Sequence, residues 1–504
     1  MAFGNQLLSG LLDLMVEPSE DEVINHELDA VPQQIHISLG KTPAQMEVLW
    51  GTRIYSRSEV QYGLDQKNLI YKAKVKLDIL SFSNAKGCRY WHRAILDNLK
   101  PNLLYYYRIS SGKLFSEVYH FRSTRNGTNW SPKFMLYGDL LTSSKSLPYI
   151  LKEGKNEYSA VFHLGDFAYD LHSESGRRGD VFLNALQPLA AYVPYVGIVG
   201  DHEREGQYAH YRYRFSLPGQ PWPIPEARMY YSQDIGPVHI LAYNPQVYLF
   251  NQDMIDEQYN WMLGDLKRAQ RNRRRVPWIV VLGHRPLYCT HYYPDDCQFD
   301  DSVVRAGVED LFYYFGVDLV VQGHEHMYER SWPLYKSKPL ARHYTNPKGP
   351  VYIISGSTGN EYVTDSLPAD RNTNDWSAFV ISEKDKESVS RIQVVNNTHL
   401  SFQQVLTKDN TILDEFTIVQ RSHGPFGDPS KFMPLEMESI NMIDLAAMHK
   451  TFNKAIQLNY ISSLLMFLIA GLLTVWMVLR QIAICRRENQ LNMITSENVL
   501  VKMA

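Results

Sequence analysis

Asp139, the run Asp166-Phe-Ala-Tyr169, the triplet Asp201-His202-Glu203, His284 and the triplet His324-Glu-His326 each follow a short apolar run that ends in glycine. The runs read Phe-Met-Leu-Tyr-Gly, Val-Phe-His-Leu-Gly, Val-Gly-Ile-Val-Gly, Ile-Val-Val-Leu-Gly and Leu-Val-Val-Gln-Gly. Taken singly, an aspartate after a strand is usually a helix N-cap, and a histidine is usually a satisfied core or surface residue. Three aspartates, a tyrosine and four histidines at successive strand ends point instead to a metal site. Oxygen and imidazole donors without a thiolate suit Fe, Zn or Mn rather than a structural zinc. One aspartate can bridge two ions about 3.5–4 Å apart, the spacing of two-metal hydrolytic sites, where a phosphate oxygen is clamped and a bound water becomes hydroxide near neutral or acidic pH. Tyr169 narrows the metal. A phenol of pKa about 10 becomes a ligand at low pH only beside a strongly acidic cation such as Fe(III).

These residues need strands to carry them. Buried strands read as continuous apolar runs, and open α/β sheets bind ligands beyond the carboxyl ends of their strands. A glycine at each strand end would let the chain turn sharply and bring the backbone close to an ion or phosphate. Between the strands the text is helix-like, as over Asp256 to Arg271, where Tyr259, Met262, Leu263 and Leu266 recur at helical spacing. The basic run Arg271-Asn-Arg-Arg-Arg275 then reads as a solvated helix end, with an anion-binding patch as the alternative. From Gln34 to Arg122, alternating strand-like pieces predict a small immunoglobulin-like β-sandwich with no ligand chemistry. After Trp376, the pieces Ser390 to Val395, Leu400 to Leu406 and Glu415 to Val419 are expected to complete a sheet. The predicted organisation is an irregular lead-in over 1–30, the sandwich over 31–125, the metal-bearing domain over 132–420, a stalk over 421–457, a membrane helix over 458–480 and a tail over 481–504.

Length and composition agree with two or three folded domains: 504 residues, 44% apolar and 21% charged. A net charge of -3 gives no electrostatic case for nucleic acid as a partner. Of the four cysteines, Cys289 and Cys297 are spaced for a local disulfide across a small loop, two free thiols being the alternative. Ile461 to Leu479 is uncharged and about long enough to cross a bilayer. Arg480, Arg486 and Arg487 follow it, so the positive-inside rule places the tail in the cytosol and the large N-terminal part in a lumen or outside the cell. Sequons at Asn126, Asn129 and Asn396 agree with glycosylation there. Leu7 to Val16 is a poor signal sequence, interrupted by Asp13 and preceded by no basic residue, so a degenerate or missing signal and tail-first insertion are both open.

The five blocks Asp139, Gly165-Asp166-x-x-Tyr169, Gly200-Asp-His-Glu203, Gly283-His284 and Gly323-His-Glu-His326 resemble those of the purple acid phosphatases, which are calcineurin-like metallophosphoesterases. Gly-His-Arg-Pro-Leu-Tyr-Cys and Gly-His-Glu-His-Met-Tyr-Glu-Arg extend the resemblance toward the larger plant and animal members, over residues 30 to 420. It implies an α+β, α-β-β-α metallophosphoesterase sandwich behind an N-terminal fibronectin- or immunoglobulin-like β-sandwich, here with one C-terminal transmembrane helix. By the same resemblance Asp139, Tyr169 and His326 would hold Fe(III), Asp166 would bridge, and Asp201, His284 and His324 would hold a divalent Zn, Fe or Mn. His202 would bind phosphate and protonate the leaving group while metal-bound hydroxide attacks phosphorus directly; His291 reads as a surface histidine, with a further substrate contact as the alternative. The implied substrates are phosphorylated small molecules or phosphoproteins.

Two positions depart from the family pattern. Leu141 stands where the first block has glycine, which would crowd the backbone near the ferric ion. Asp201 stands where the third block has asparagine, which brings the formal ligand charge to about -4 against +5 for the ions and would weaken the pull on phosphate. The alternatives are therefore a catalytically weakened membrane-bound binding protein, or a phosphodiesterase or pyrophosphatase on the same site.

Overall fold

The computed structural model describes residues 29–81, 88–155, 158–290, 295–359, 374–382 and 386–434. The apolar segment Ile461 to Leu479, the arginines behind it, the N-terminal lead-in up to residue 28 and His291 lie outside the described residues. Among the described residues no helix is long and apolar enough to cross a membrane.

The first strands form two antiparallel sheets. One runs in the order Gln33–Leu39, Met46–Thr52, Cys88–Leu96, Val75–Ser81; the other joins Tyr71–Ala73, Ser58–Gly63, Leu104–Ser111 and Leu114–Phe115, with Tyr119–Arg122 paired to Leu104–Ser111. Leu104–Ser111 alternates strictly between half-buried and buried positions, which puts Tyr105, Tyr107 and Ile109 into a core with Ile35, Val48 and Trp50. Met46–Thr52 is buried throughout because its other face is covered too. Leu39, Leu49, Leu80 and Trp91 turn away from the sandwich and join the core of the following domain. At that junction Arg214 reaches Gln34 Oε1 (2.8 Å) and Asp180 Oδ1 (3.0 Å), and Arg89 pairs with Asp180 Oδ2 (2.6 Å).

The following domain is built on two sheets that share one hydrophobic core. The six-stranded sheet runs Tyr195–Gly197, Ala160–His163, Lys133–Tyr137, Ser388–Asn396, His399–Leu406, Ile412–Val419. Its first three strands are parallel and the rest antiparallel. The seven-stranded sheet has four parallel strands at its centre, Val238–Ala242, Trp278–Leu282, Leu319–Gln322 and Val351–Ser355. The apolar runs behind the candidate ligands are these parallel strands, buried on both faces as their composition requires. The strands expected after Trp376 are present and extend the six-stranded sheet.

The predicted helix spans Ile255–Arg271 and buries Tyr259, Met262 and Leu266. In the basic run after it, Arg274 and Arg275 are exposed, but Arg273 is buried. Its guanidinium bonds Asp318 Oδ2 at 2.7 Å and the carbonyl of Phe315 at 3.2 Å, fixing the loop that enters the Leu319–Gln322 strand. The run is thus part solvated helix end and part internal staple. Residues at the start of the expected stalk pack back on the domain, with Phe426 against Tyr313 and Phe432 against Tyr314 and Phe315.

One buried charge away from the ligands has a measurable consequence. His239 donates from Nδ1 to Asp234 and from Nε2 to Asp265, both at 2.7 Å. Burial opposes its charge, but the two carboxylates outweigh it and raise its pKa from 6.5 to about 9. The stability this confers is complete below pH 6.5 and is lost as pH rises through about 9; it amounts to on the order of 3 kcal/mol. Urea midpoints measured between those pH values should fall in the native protein, and the His239→Gln variant should show a flatter profile.

Candidate metal centre

Each candidate ligand sits where its strand ends. Three of those strands, Lys133–Tyr137, Ala160–His163 and Tyr195–Gly197, are neighbours in one sheet; Trp278–Leu282 and Leu319–Gln322 are neighbours in the other. The site therefore spans the edges of two sheets rather than one. The turns are made differently from the expectation. Of the five glycines, only Gly165 has a left-handed backbone (φ 94°), whereas Asp139, Asp166, Tyr169 and His324 are themselves left-handed at φ 66°, 59°, 48° and 69°. Such conformations cost of order 1–3 kcal/mol each in a non-glycine residue and gather where a site overrules local preference. The other glycines are needed for space. A Cβ on Gly200 would lie 2.2 Å from Asp166 Oδ1, and one on Gly323 would lie 2.8 Å from Asp139 Oδ2.

The side chains fall into two groups around Asp166. In the first, the Tyr169 hydroxyl is 2.9 Å from His326 Nε2 and 3.4 Å from Asp139 Oδ1, and His326 Nε2 is 3.7 Å from Asp139 Oδ1. In the second, Asp166, Asp201, His284 and His324 each offer a ligand atom, all within 4.8 Å of one another. Asp201 Oδ1 is 3.0 Å from both His284 Nε2 and His324 Nδ1, and Asp166 Oδ1 is 3.3 Å from His284 Nε2. His284 is fixed from behind, since its Nδ1 donates to the Leu164 carbonyl at 2.6 Å and so leaves Nε2 to face the carboxylates.

The two groups differ in their electrostatics. Burial pushes the Asp139 carboxyl well above the usual carboxylate range, and the neighbouring Asp166 adds to it. Burial and then Asp139 and Asp166 raise the Tyr169 phenol well above its ordinary value. His284 is raised well above an ordinary imidazole because Asp166 and Asp201 outweigh its burial. In the second group the carboxyls go the other way. Although burial opposes it, His284 lowers Asp166, and Arg285 and His324 hold Asp201 well below the usual carboxylate range. Positive charge is therefore scarce around Asp139 and Tyr169 and is supplied by side chains around Asp201. The oxygen and nitrogen donors are of the types that hold metal ions.

His202 lies at the mouth of the pocket, a quarter exposed. Its Nδ1 is 3.0 Å from Asp170 Oδ1, its Nε2 is 3.9 Å from Asp166 Oδ2, and its ring meets Tyr169 edge-on at 4.7 Å. Burial lowers its pKa, but Asp166, Asp201 and Asp170 raise it further, so the net shift favours the protonated ring. Glu203 is wholly internal. It accepts from the backbone N–H groups of Asp166 (2.9 Å), Phe167 (2.9 Å) and Gly200 (2.8 Å), tying two ligand turns together.

Asp170, Asp295 and Arg285 escape a reading based on strand ends. Asp170 follows Tyr169 in a turn, Asp295 stands in a loop, and Arg285 is masked by its neighbour His284. Arg285 is buried, with Nη2 at 3.3 Å from Asp201 Oδ2, so the carboxylate that replaces the family's asparagine meets a counter-charge. Leu141 stands two residues beyond Asp139. It is not left-handed, its side chain is buried, and its N–H donates to the Gly359 carbonyl at 3.2 Å. Cys289 and Cys297 are joined in a disulfide. Asn126, Asn129 and Asn396 are all exposed.

Comparison with known proteins follows the same division of the chain. Three family profiles match it in order: the purple acid phosphatase N-terminal domain over residues 32–123, the calcineurin-like phosphoesterases over 132–328, and the iron/zinc purple acid phosphatase-like protein C-terminal region over 349–415. Acid phosphatase type 7 of Homo sapiens is 36% identical over 416 residues, covering 78% of this chain and 92% of the human protein. Purple acid phosphatase 18 of Arabidopsis thaliana is 26% identical over 402 residues, covering 78% of this chain and 86% of its own length. A solved purple acid phosphatase from yellow lupin (Lupinus luteus) seeds has the same fold, with a TM-score of 0.68 at 21% identity over 77% of this chain and 74% of the lupin chain.

Proposed function

Since this chain belongs to the purple acid phosphatase family and is a metal-dependent acid phosphatase, we propose that it hydrolyses phosphate monoesters at a ferric–divalent pair. Asp139, Tyr169 and His326 would hold the ferric ion, Asp201, His284 and His324 would hold Zn, Fe or Mn, and Asp166 would be shared between them. The observation that carries this reading is the division of the donors into two groups around Asp166, only one of which contains a phenol. When bound, the ions supply Lewis acidity toward the phosphate oxygens and a hydroxide nucleophile near acidic pH.

The chain's own residues do the rest. Asp170 accepts from His202 Nδ1, so Nε2 is the nitrogen that, in the protonated ring the surrounding acids favour, gives its proton to the leaving oxygen. Arg178 Nη1 donates to the Tyr169 carbonyl at 2.8 Å and, with Glu203, keeps the turns that aim the donors in place. The substrates are phosphorylated small molecules or phosphoproteins. The exposed sequons and the uncharged segment Ile461 to Leu479 with its following arginines support a luminal or extracellular catalytic domain on a single membrane helix.

Metal content and turnover of an aryl phosphomonoester, measured on the purified protein from acidic to neutral pH, test this. Two ions per chain, a visible tyrosinate-to-iron absorption band and turnover strongest in acid are expected. The extra carboxylate at Asp201 favours a second reading, a weakened relative that binds without turning over. Two bound ions with no hydrolysis of mono- or diesters would establish that reading instead.

A further inference from the structure

Two residues outside the seven candidate ligands grip one half of the centre. His324 points Nδ1 at Asp201 Oδ1 (3.0 Å) and at His284 Nε2 (3.2 Å), and its other ring nitrogen, Nε2, lies 3.2 Å from Asp295 Oδ2. With Nδ1 aimed at the ligand cluster, Nε2 carries the proton and donates it to Asp295. Arg285 closes the ring, with Nη1 at 3.3 Å from Asp295 Oδ1 and Nη2 at 3.3 Å from Asp201 Oδ2. Its Nε donates to Gln246 Oε1 at 3.1 Å, which fixes the plane of the guanidinium. Asp295 is itself held by the next residue, because Asp296 accepts from the Ser302 hydroxyl (2.6 Å) and the Val303 N–H (3.0 Å), and Cys297 is tied to Cys289. His284 needs no such help, since a backbone carbonyl holds it.

We propose that Asp295 and Arg285 are positioning residues for the divalent ion: they fix the tautomer and orientation of His324 and the rotamer of Asp201, and so set how tightly that half of the centre holds its metal. The proposal rests on the two-ion reading above. A carboxylate behind a ligating imidazole fixes its tautomer and raises its basicity, and loss of such a partner typically weakens metal binding about 10–100-fold. Arginine suits the second position because its rigid planar fork holds two carboxylates in a fixed geometry, whereas an ammonium is a compact point charge on a flexible stem.

The test strips the protein of metal, restores iron, and titrates zinc into the native chain and the Asp295→Asn variant. The variant is expected to bind zinc about 10–100-fold more weakly while its iron content and visible band stay unchanged, with Asp295→Glu recovering part of the loss. Zinc affinity within twofold of native overturns the proposal. So does a variant whose metal-free form melts earlier yet binds zinc normally, since that is a purely structural role. If the asparagine variant does not fold, Arg285→Lys takes its place, with weaker zinc binding expected and unchanged binding decisive against. Failure of the underlying reading looks different, because the native chain itself would then hold fewer than two ions.

Discussion

Replacing His202 with alanine is expected to lower turnover of an alkyl phosphate by about two to four orders of magnitude, the usual contribution of a positioned general acid. Metal content should not change, because His202 is in neither donor group. The size of the loss should depend on the leaving group. A nitrophenolate leaves without a proton, so hydrolysis of its ester should fall much less than hydrolysis of an alkyl ester. The structural grounds are the Asp170 carboxylate 3.0 Å behind Nδ1 and the cluster of acids that raises the imidazole's pKa. Steady-state kinetics on the two esters check this. An equal loss on both, or loss of metal, would deny His202 the role of acid.

Asp166→Ala should have the larger effect. Asp166 lies between the two donor groups, with Oδ1 3.3 Å from His284 Nε2 and its charge felt by both Asp139 and Tyr169. On the two-ion reading proposed above, its loss would leave the ions without a shared ligand. A two-metal centre supplies both nucleophile and clamp, so turnover should fall at least about 1000-fold, with at most one ion retained. Metal analysis beside the kinetics decides the matter, and two ions held at native affinity would show that Asp166 does not bridge.

Much of the site was legible because a buried parallel strand must be a continuous apolar run, so a polar residue at its end stands out, as Asp139, Asp201 and His284 do. Tyr169 was legible for a chemical reason, since few settings make a phenol useful beside three carboxylates. The residues behind the ligands were not legible. Asp295 is 29 positions from His324, and nothing local to a loop aspartate says which imidazole it will face. Arg285 carries no mark of the two carboxylates it spans. The assignment of the strands to two sheets was equally hidden, because the local pattern of a strand does not name its neighbour. The glycines were read for their turns, whereas at Gly200 and Gly323 the cause is the volume a Cβ would take from Asp166 and Asp139. That cause exists only after distant segments have met.

The junction at Arg214 bears on where the enzyme can be cut. Its guanidinium is fully buried and is satisfied in part by Gln34, from the first strand of the sandwich, and in part by Asp180, whose helix begins beside the Tyr169 turn. A fragment starting at Pro132 would strip that arginine of one partner and remove Leu39, Leu49, Leu80 and Trp91 from the shared core. Such a fragment is therefore expected to be less stable than the chain that keeps the strand from Gln33, and comparing the thermal melting of the two checks this.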